Sequence, residues 1–137
     1  MKLFGLIGLL ILLSCSCVDK HRSRSLCEQS LIDSLEVRAQ DSLFSNLPYS
    51  RSLLRNAMRQ AQDSMSYYRL MGLYGKTFFI SSDFDSILYY NRPVKEYDKR
   101  AAACPRWNDV LSDVYNIEGN VWMQLNQPDS AVAYYEK

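Results

Sequence analysis

Apolar residues recur every three or four positions along most of this chain, which is the spacing of one face of an α-helix. Ser25-Leu26-Cys27-Glu28 matches a capping box, a serine N-cap with a glutamate three residues on. The stripe that follows, Ile32, Leu35, Ala39 and Leu43, is widened by Leu31 and Phe44. This helix is expected to end near Leu47-Pro48, because the residue before proline avoids the helical region. A second helix, 49–62, gathers Leu53, Leu54, Ala57, Met58 and Ala61 on one face. A third, 65–80, carries Leu70, Met71, Leu73, Tyr74 and Phe78. Ser82 and Asp83 are cap-type residues and open a helix running to about Arg100, with a kink or break predicted at Pro93. Ala103-Cys104-Pro105-Arg106 reads as a turn, and 107–125 as the next helix. Gln127-Pro128-Asp129 starts another, with proline suited to the first helical position. No run of alternating β-branched residues is long enough for a strand. The pattern predicts an all-α chain.

The first seventeen residues, MKLFGLIGLLILLSCSC, follow a different rule. Lys2 is positive, Leu3 to Leu13 is an apolar run of 11 residues, and Leu12-Leu13-Ser14-Cys15 closes it. The run is shorter than the roughly 20 residues of a membrane-spanning helix and has the order of a signal peptide. It resembles the lipobox of bacterial lipoproteins. That resemblance implies cleavage before Cys15 and lipid on its thiol, so that the chain is anchored in the cell envelope. Plain secretory cleavage is the alternative. Residues 1–14 are then the signal peptide and 15–24 a short polar tether. Residues 25–48 form an amphipathic helix, and 49–137 the rest of the fold. In the tether Asp19 is followed by basic residues rather than an acidic cluster, which favours a periplasmic orientation.

A shift of 44 residues lays one part of the chain on another. Gly75 falls on Gly119, Phe78 on Trp122, Asp85-Ser86 on Asp129-Ser130 and Tyr90 on Tyr134. Apolar positions agree as well: Leu70 with Val114, Leu73 with Ile117, Leu88 with Val132. A mid-helix glycine costs about 1 kcal/mol against alanine, so glycines at matched positions point to close helix contact. The pattern resembles the tetratricopeptide repeat (TPR), a helix pair with small and aromatic residues at fixed places. Gly119, Trp122, Asn126, Ala131 and Tyr135 would fill those places in the second copy. Gly75, Phe78, Ser82, Ile87 and Asn91 would fill them in the first, where Ile87 and Asn91 depart from the pattern. The spacing of 44 rather than 34 puts an insertion in 92–106, and Leu54 and Ala57 would belong to half of a preceding repeat. The Asp-Ser-Ala-x-x-Tyr-Tyr-x-Lys stretch, Asp129 to Lys137, is similar to degenerate repeats of lipoproteins and membrane sensors of Bacteroidetes type. The resemblance implies antiparallel helix-turn-helix pairs stacked as a short TPR-like solenoid over 49–137, with an incomplete last repeat. Val132, Tyr134 and Tyr135 would lack a covering helix. A longer protein, or another subunit, would supply one.

Charge and chemistry narrow the function. Sixteen Lys and Arg against 15 Asp and Glu leave the chain near neutral, without the basic face of a nucleic-acid binder. The one histidine, His21, lies in the tether, so the folded part lacks the usual acid–base group near neutral pH. There is no phosphate-cradling glycine loop and no Gly-x-Ser-x-Gly elbow. Cys15-Ser16-Cys17 with His21 lacks the paired spacing of structural zinc. No catalytic residue, metal or cofactor is expected. Of the cysteines, Cys27 and Cys104 could pair in an oxidising compartment or remain as unpaired small hydrophobes. The paired tyrosines, such as Tyr67-Tyr68 and Tyr89-Tyr90, suit packing between helices.

In the repeat register the inner groove would be lined by Arg69, Gly72, Lys76, Phe79 and Ile80 from the first copy. Asp113, Asn116, Asn120, Met123 and Gln124 would line it from the second. Asn116 and Asn120, one turn apart, could clamp a peptide backbone. The expectation is a membrane-anchored, non-catalytic scaffold for protein or peptide partners. The alternative is the N-terminal periplasmic sensory segment of a larger histidine kinase or transcriptional regulator.

Overall fold

The computed structural model describes residues 29–98 and 105–137. Cys15, the capping box at Ser25, and Cys27 and Cys104 lie outside the described residues. Six helices follow one another with no strand among the described residues. We label them α1 (29–41), α2 (Leu47–Gln60), α3 (Ser64–Ile80), α4 (Phe84–Asp98), α5 (Pro105–Gln124) and α6 (Pro128–Tyr135).

The first helix ends earlier than the sequence suggests. Pro48 starts α2 rather than stopping α1, because a proline needs no hydrogen-bond partner in a helix's first turn. Asn46 caps that turn, its side-chain oxygen accepting from the Tyr49 N–H at 3.1 Å. Pro93 breaks nothing: α4 runs through it. The carbonyl that loses its partner belongs to Tyr89, which is 72 % exposed, so water can replace the missing bond. The insertion expected in 92–106 falls on the end of α4 and the start of α5. Within it, Val94 joins Trp107 and Val114 of α5 in an apolar cluster, and Tyr97 stacks on Tyr68 at 4.6 Å.

The helices pair as hairpins, α1 with α2, α3 with α4, and α5 with α6. The two later hairpins repeat each other in detail across the 44-residue shift. Both turns hold a non-glycine residue at positive φ, Ser82 (52°) and Asn126 (58°). Both turns close with the same paired hydrogen bonds. Ser82 N–H reaches Phe79 O and Asp83 N–H reaches Phe78 O; Asn126 N–H reaches Met123 O and Gln127 N–H reaches Trp122 O. This is the Schellman closure, which satisfies the last carbonyls of a helix. Four residues past each cap comes a fully buried residue, Ser50, Ile87 or Ala131. In α1–α2 the Ser50 hydroxyl also donates to Ala39 O at 2.7 Å.

The glycines mark where paired helices touch. A Cβ on Gly75 would lie 2.8 Å from Asn91 Oδ1, and one on Gly119 would lie 2.3 Å from the Tyr135 ring. Asn91 and Tyr135 are themselves 44 residues apart. The aromatic pairs match too: Phe78 stacks on Tyr90 at 5.3 Å, and Trp122 lies 6.1 Å from Tyr134. Tyr74 meets both Phe78 and Tyr90 edge-on, so this tyrosine cluster is packing.

Arg51 of α2 joins the first two hairpins. Its guanidinium donates to Thr77 Oγ1 (2.9 Å), Thr77 O (3.2 Å) and Ser81 Oγ (2.9 Å), and lies 4.1 Å over the Phe78 ring. A cation at the C-terminal end of α3 faces the negative end of the helix dipole. Ile32, Leu35, Ala39, Leu53, Leu54, Ala57, Leu70 and Tyr74 form the largest buried cluster among the described residues, with Phe78 packed against it.

Overpacking a core costs about 1–3 kcal/mol, while alanine gains about 1 kcal/mol over glycine in a helix. Gly119→Ala is therefore expected to destabilise the native chain. In a Tyr135→Ala background the same change should be neutral or stabilising. Urea unfolding of the four chains measures that sign reversal.

Asp63 and Asp83 give a second expectation. Burial works to raise the Asp63 carboxyl, but hydrogen bonds from Ser66 and Met65 hold it below the ordinary 3.8. The Ser66 N–H donates to it at 2.8 Å, as to an N-cap. The Ser86 hydroxyl and N–H lower Asp83 in the same way. Groups lowered by folding stabilise the native state above 3.8 and lose that contribution as pH falls through their folded values. Asparagine caps helices as well but does not titrate. Asp63→Asn with Asp83→Asn should narrow the gap between melting temperatures at pH 6 and pH 3, read by circular dichroism.

Candidate functional site

The first helix of every hairpin contributes one wall of a single cleft of about 530 Å³, within the range of ligand sites. From α1 come Asp33, Glu36, Val37 and Gln40. From α3 come Arg69, Gly72, Leu73 and Lys76, and from α5 come Asp109, Val110, Asp113, Val114 and Ile117. Each set repeats at three to four residues, one face of a helix. None of α2, α4 or α6 lines it.

Ion pairs tie the walls together. Arg69 of α3 reaches Asp33 at 3.2 Å and also meets Glu36, both on α1. Lys76 of α3 meets Asp113 of α5 at 3.1 Å. Such partly exposed pairs are each worth about 0–1 kcal/mol, so they orient the rim more than they hold it. Both cations of the cleft face carboxylates, leaving more acid than base on its surface. Between the charged positions the floor is apolar. Gly72 lets α5 approach: a Cβ there would meet Val114 at 3.4 Å and Val110 at 3.6 Å. A smaller recess of about 70 Å³, lined by Gln29, Met65, Ser66, Arg69, Trp107 and Val110, extends the cleft at the α1 N-terminal end.

Of the residues the sequence nominated for a groove, Arg69, Gly72, Lys76 and Asp113 line this cleft. Phe79, Ile80, Asn116, Asn120, Met123 and Gln124 are not part of its lining. Phe79 packs against Ile87, Ile117 and Val121 instead. Asn116 donates to Ser112 at 3.5 Å on its own helix. Asn120 accepts from the Tyr135 hydroxyl at 2.7 Å, which occupies one end of the imagined backbone clamp. The reason is geometric. A cleft needs a helix on both sides, and the described residues hold none beyond α5 on that face. The α1 wall was missed because 25–48 was read as a separate helix. The signal was available: Asp33, Glu36, Val37 and Gln40 run one face over from the Ile32, Leu35, Ala39 stripe.

The residues expected to pack are at the hairpin contacts: Gly75 and Gly119 at their close approaches, Phe78 and Trp122 in their aromatic pairs, and Tyr135 against Gly119. Ala131 is fully buried.

A second polar group sits inside, between the last two hairpins. Glu118 of α5 is fully buried, and Lys95 of α4 donates to its Oε2 at 2.5 Å. Lys95 also lies 5.4 Å over the Tyr134 ring. Asn91, one turn before Lys95, is fully buried, and its side-chain amide meets no protein hydrogen-bond partner. Neither residue opens onto the cleft.

Among the described residues no group of three His, Cys, Asp or Glu could hold a metal ion, and no helix is long and apolar enough to cross a membrane. No protein-family profile, curated protein or solved structure matches the chain.

A buried polar atom without a partner costs about 1–3 kcal/mol. At the same place in α2, eight residues past the cap, stands the fully buried Leu54. Asn91→Ala, which removes both unpaired atoms without crowding Gly75, is therefore expected to stabilise the chain, by less than that amount because a small cavity remains, measured by urea unfolding.

Proposed function

We propose that this chain is a non-catalytic TPR-like scaffold, held to the cell envelope through a lipidated Cys15, which binds a partner peptide in the α1/α3/α5 cleft. The observation that supports the reading best is the origin of the cleft walls. Every wall comes from the first helix of a hairpin and every second helix stands behind it. In such stacks the first helices make the concave side, and their repeated faces create an extended binding surface. The cleft's apolar floor and charged rim suit a peptide held by one or two apolar side chains and oriented by polar contacts. The lipobox-like start supports the anchor, and the near-neutral charge argues against nucleic acid.

Two measurements test the two halves. A displayed peptide library selected on the full chain should yield binders that protect 33–40, 69–76 and 109–117 from hydrogen exchange, and Val37→Asp should abolish that binding. No binder, or protection elsewhere, sinks the scaffold reading. Separately, cells expressing the chain should incorporate labelled fatty acid into it, and Cys15→Ser should remove the label. Label retained in that variant places the lipid elsewhere.

A further inference from the structure

The anions of the cleft stand outermost. Asp33 and Asp113 leave 51 % and 63 % of their side chains exposed, whereas their partners Arg69 and Lys76 leave 22 % and 37 %. Arg69 is shared between Asp33 and Glu36, and Lys76 is engaged by Asp113. Asp109, exposed on the α5 wall, makes no ion pair among the described residues. Four carboxylates therefore line the cleft against two cations, and the cations lie beneath them. Asp33 and Asp109 stand past the first turn of their helices, where the helix dipole no longer accounts for an acid.

Placement orders the guest. Asp33 and Asp109 mark the end where the small recess opens, Asp33 one turn from Gln29 and Asp109 beside Val110. One turn further along are Val37, 58 % exposed, and the half-buried Leu73. A helical turn advances about 5.4 Å. Two residues of an extended peptide advance about 6.6 Å and put both side chains on one face. We propose that the cleft takes an extended basic segment of a partner protein, with a Lys or Arg at the Asp33 and Asp109 end and an apolar side chain two residues away over Val37 and Leu73. The proposal rests on the scaffold reading above and adds the sign and order of the guest's side chains. The guest's cation meets Asp109, which has no cation of its own, and shares Asp33, whose exposed pair with Arg69 is weak. An acidic segment would meet the exposed carboxylates first, and like charges turn such partners away.

The test is a displayed library of random peptides selected on the full chain, each binder located by hydrogen exchange. Binders that protect 33–40, 69–76 and 109–117 should carry Lys or Arg two residues from an apolar residue and weaken as salt rises. Asp109→Lys, at an exposed position, should weaken them by roughly tenfold or more and leave the urea midpoint unchanged. Cleft binders that are neutral or acidic, or an unchanged affinity in Asp109→Lys, overturn this inference and leave the scaffold reading standing. No binder in the cleft sinks both. The chain has basic residues of its own at Lys20, Arg22 and Arg24, and replacing all three with serine should leave the affinity unchanged. Tenfold tighter binding in that variant would make the occupant the chain's own basic stretch and overturn the assignment to a partner.

Discussion

Two helices lie at contact distance only where one of them gives up its side chain, and in this chain that concession is made at Gly75 and Gly119. Everything else in the two later hairpins is arranged around those points. The turns at Ser82 and Asn126 bring the second helix back at the angle the contact needs. The aromatic pairs Phe78–Tyr90 and Trp122–Tyr134 fill the space a turn away. The first hairpin meets the same constraint with Ala39, whose carbonyl takes the Ser50 hydroxyl. Close hairpins leave the first helices free to line up side by side, and only then can one face of α1, α3 and α5 share a cleft.

Helix number and order were legible because the apolar stripes are long and regular. The repeat was legible because its signals were residues with steric consequences: a glycine, a turn asparagine, paired aromatics. Prolines misled twice. Pro48 was read as the end of one helix when it begins the next, and Pro93 sits inside a helix whose packing outweighs one lost hydrogen bond. Which face of each helix met which neighbour was not legible. The same heptad-like spacing places Gly72 in a cleft and leaves Asn116 exposed, and nothing local to Asn116 records that the described residues hold no helix beyond α5 on that face. Arg51 was invisible for a related reason: its partners lie 26 and 30 residues away and are ordinary Thr and Ser.

The cleft itself combines a weak rim and a firm floor. Asp33, Lys76 and Asp113 leave much of their side chains in water, whereas Gly72, Val114 and Ile117 belong to packing that cannot yield without cost. The peptide proposed for this cleft would meet edges that adjust and a base fixed in shape.

The Glu118–Lys95 pair has a consequence for how the hairpins slide. Apolar seams tolerate displacement, since one valine replaces another at little loss. Here, a shift of α5 along α4 by a single turn would strand a fully buried carboxylate without its cation, and a stranded buried charge is destabilising by about 3–5 kcal/mol. The pair therefore adds little to the strength of the seam but selects one alignment out of several. It acts as a detent: one turn beyond Val114 and outside the cleft lining, it fixes where the α5 wall stands along α4.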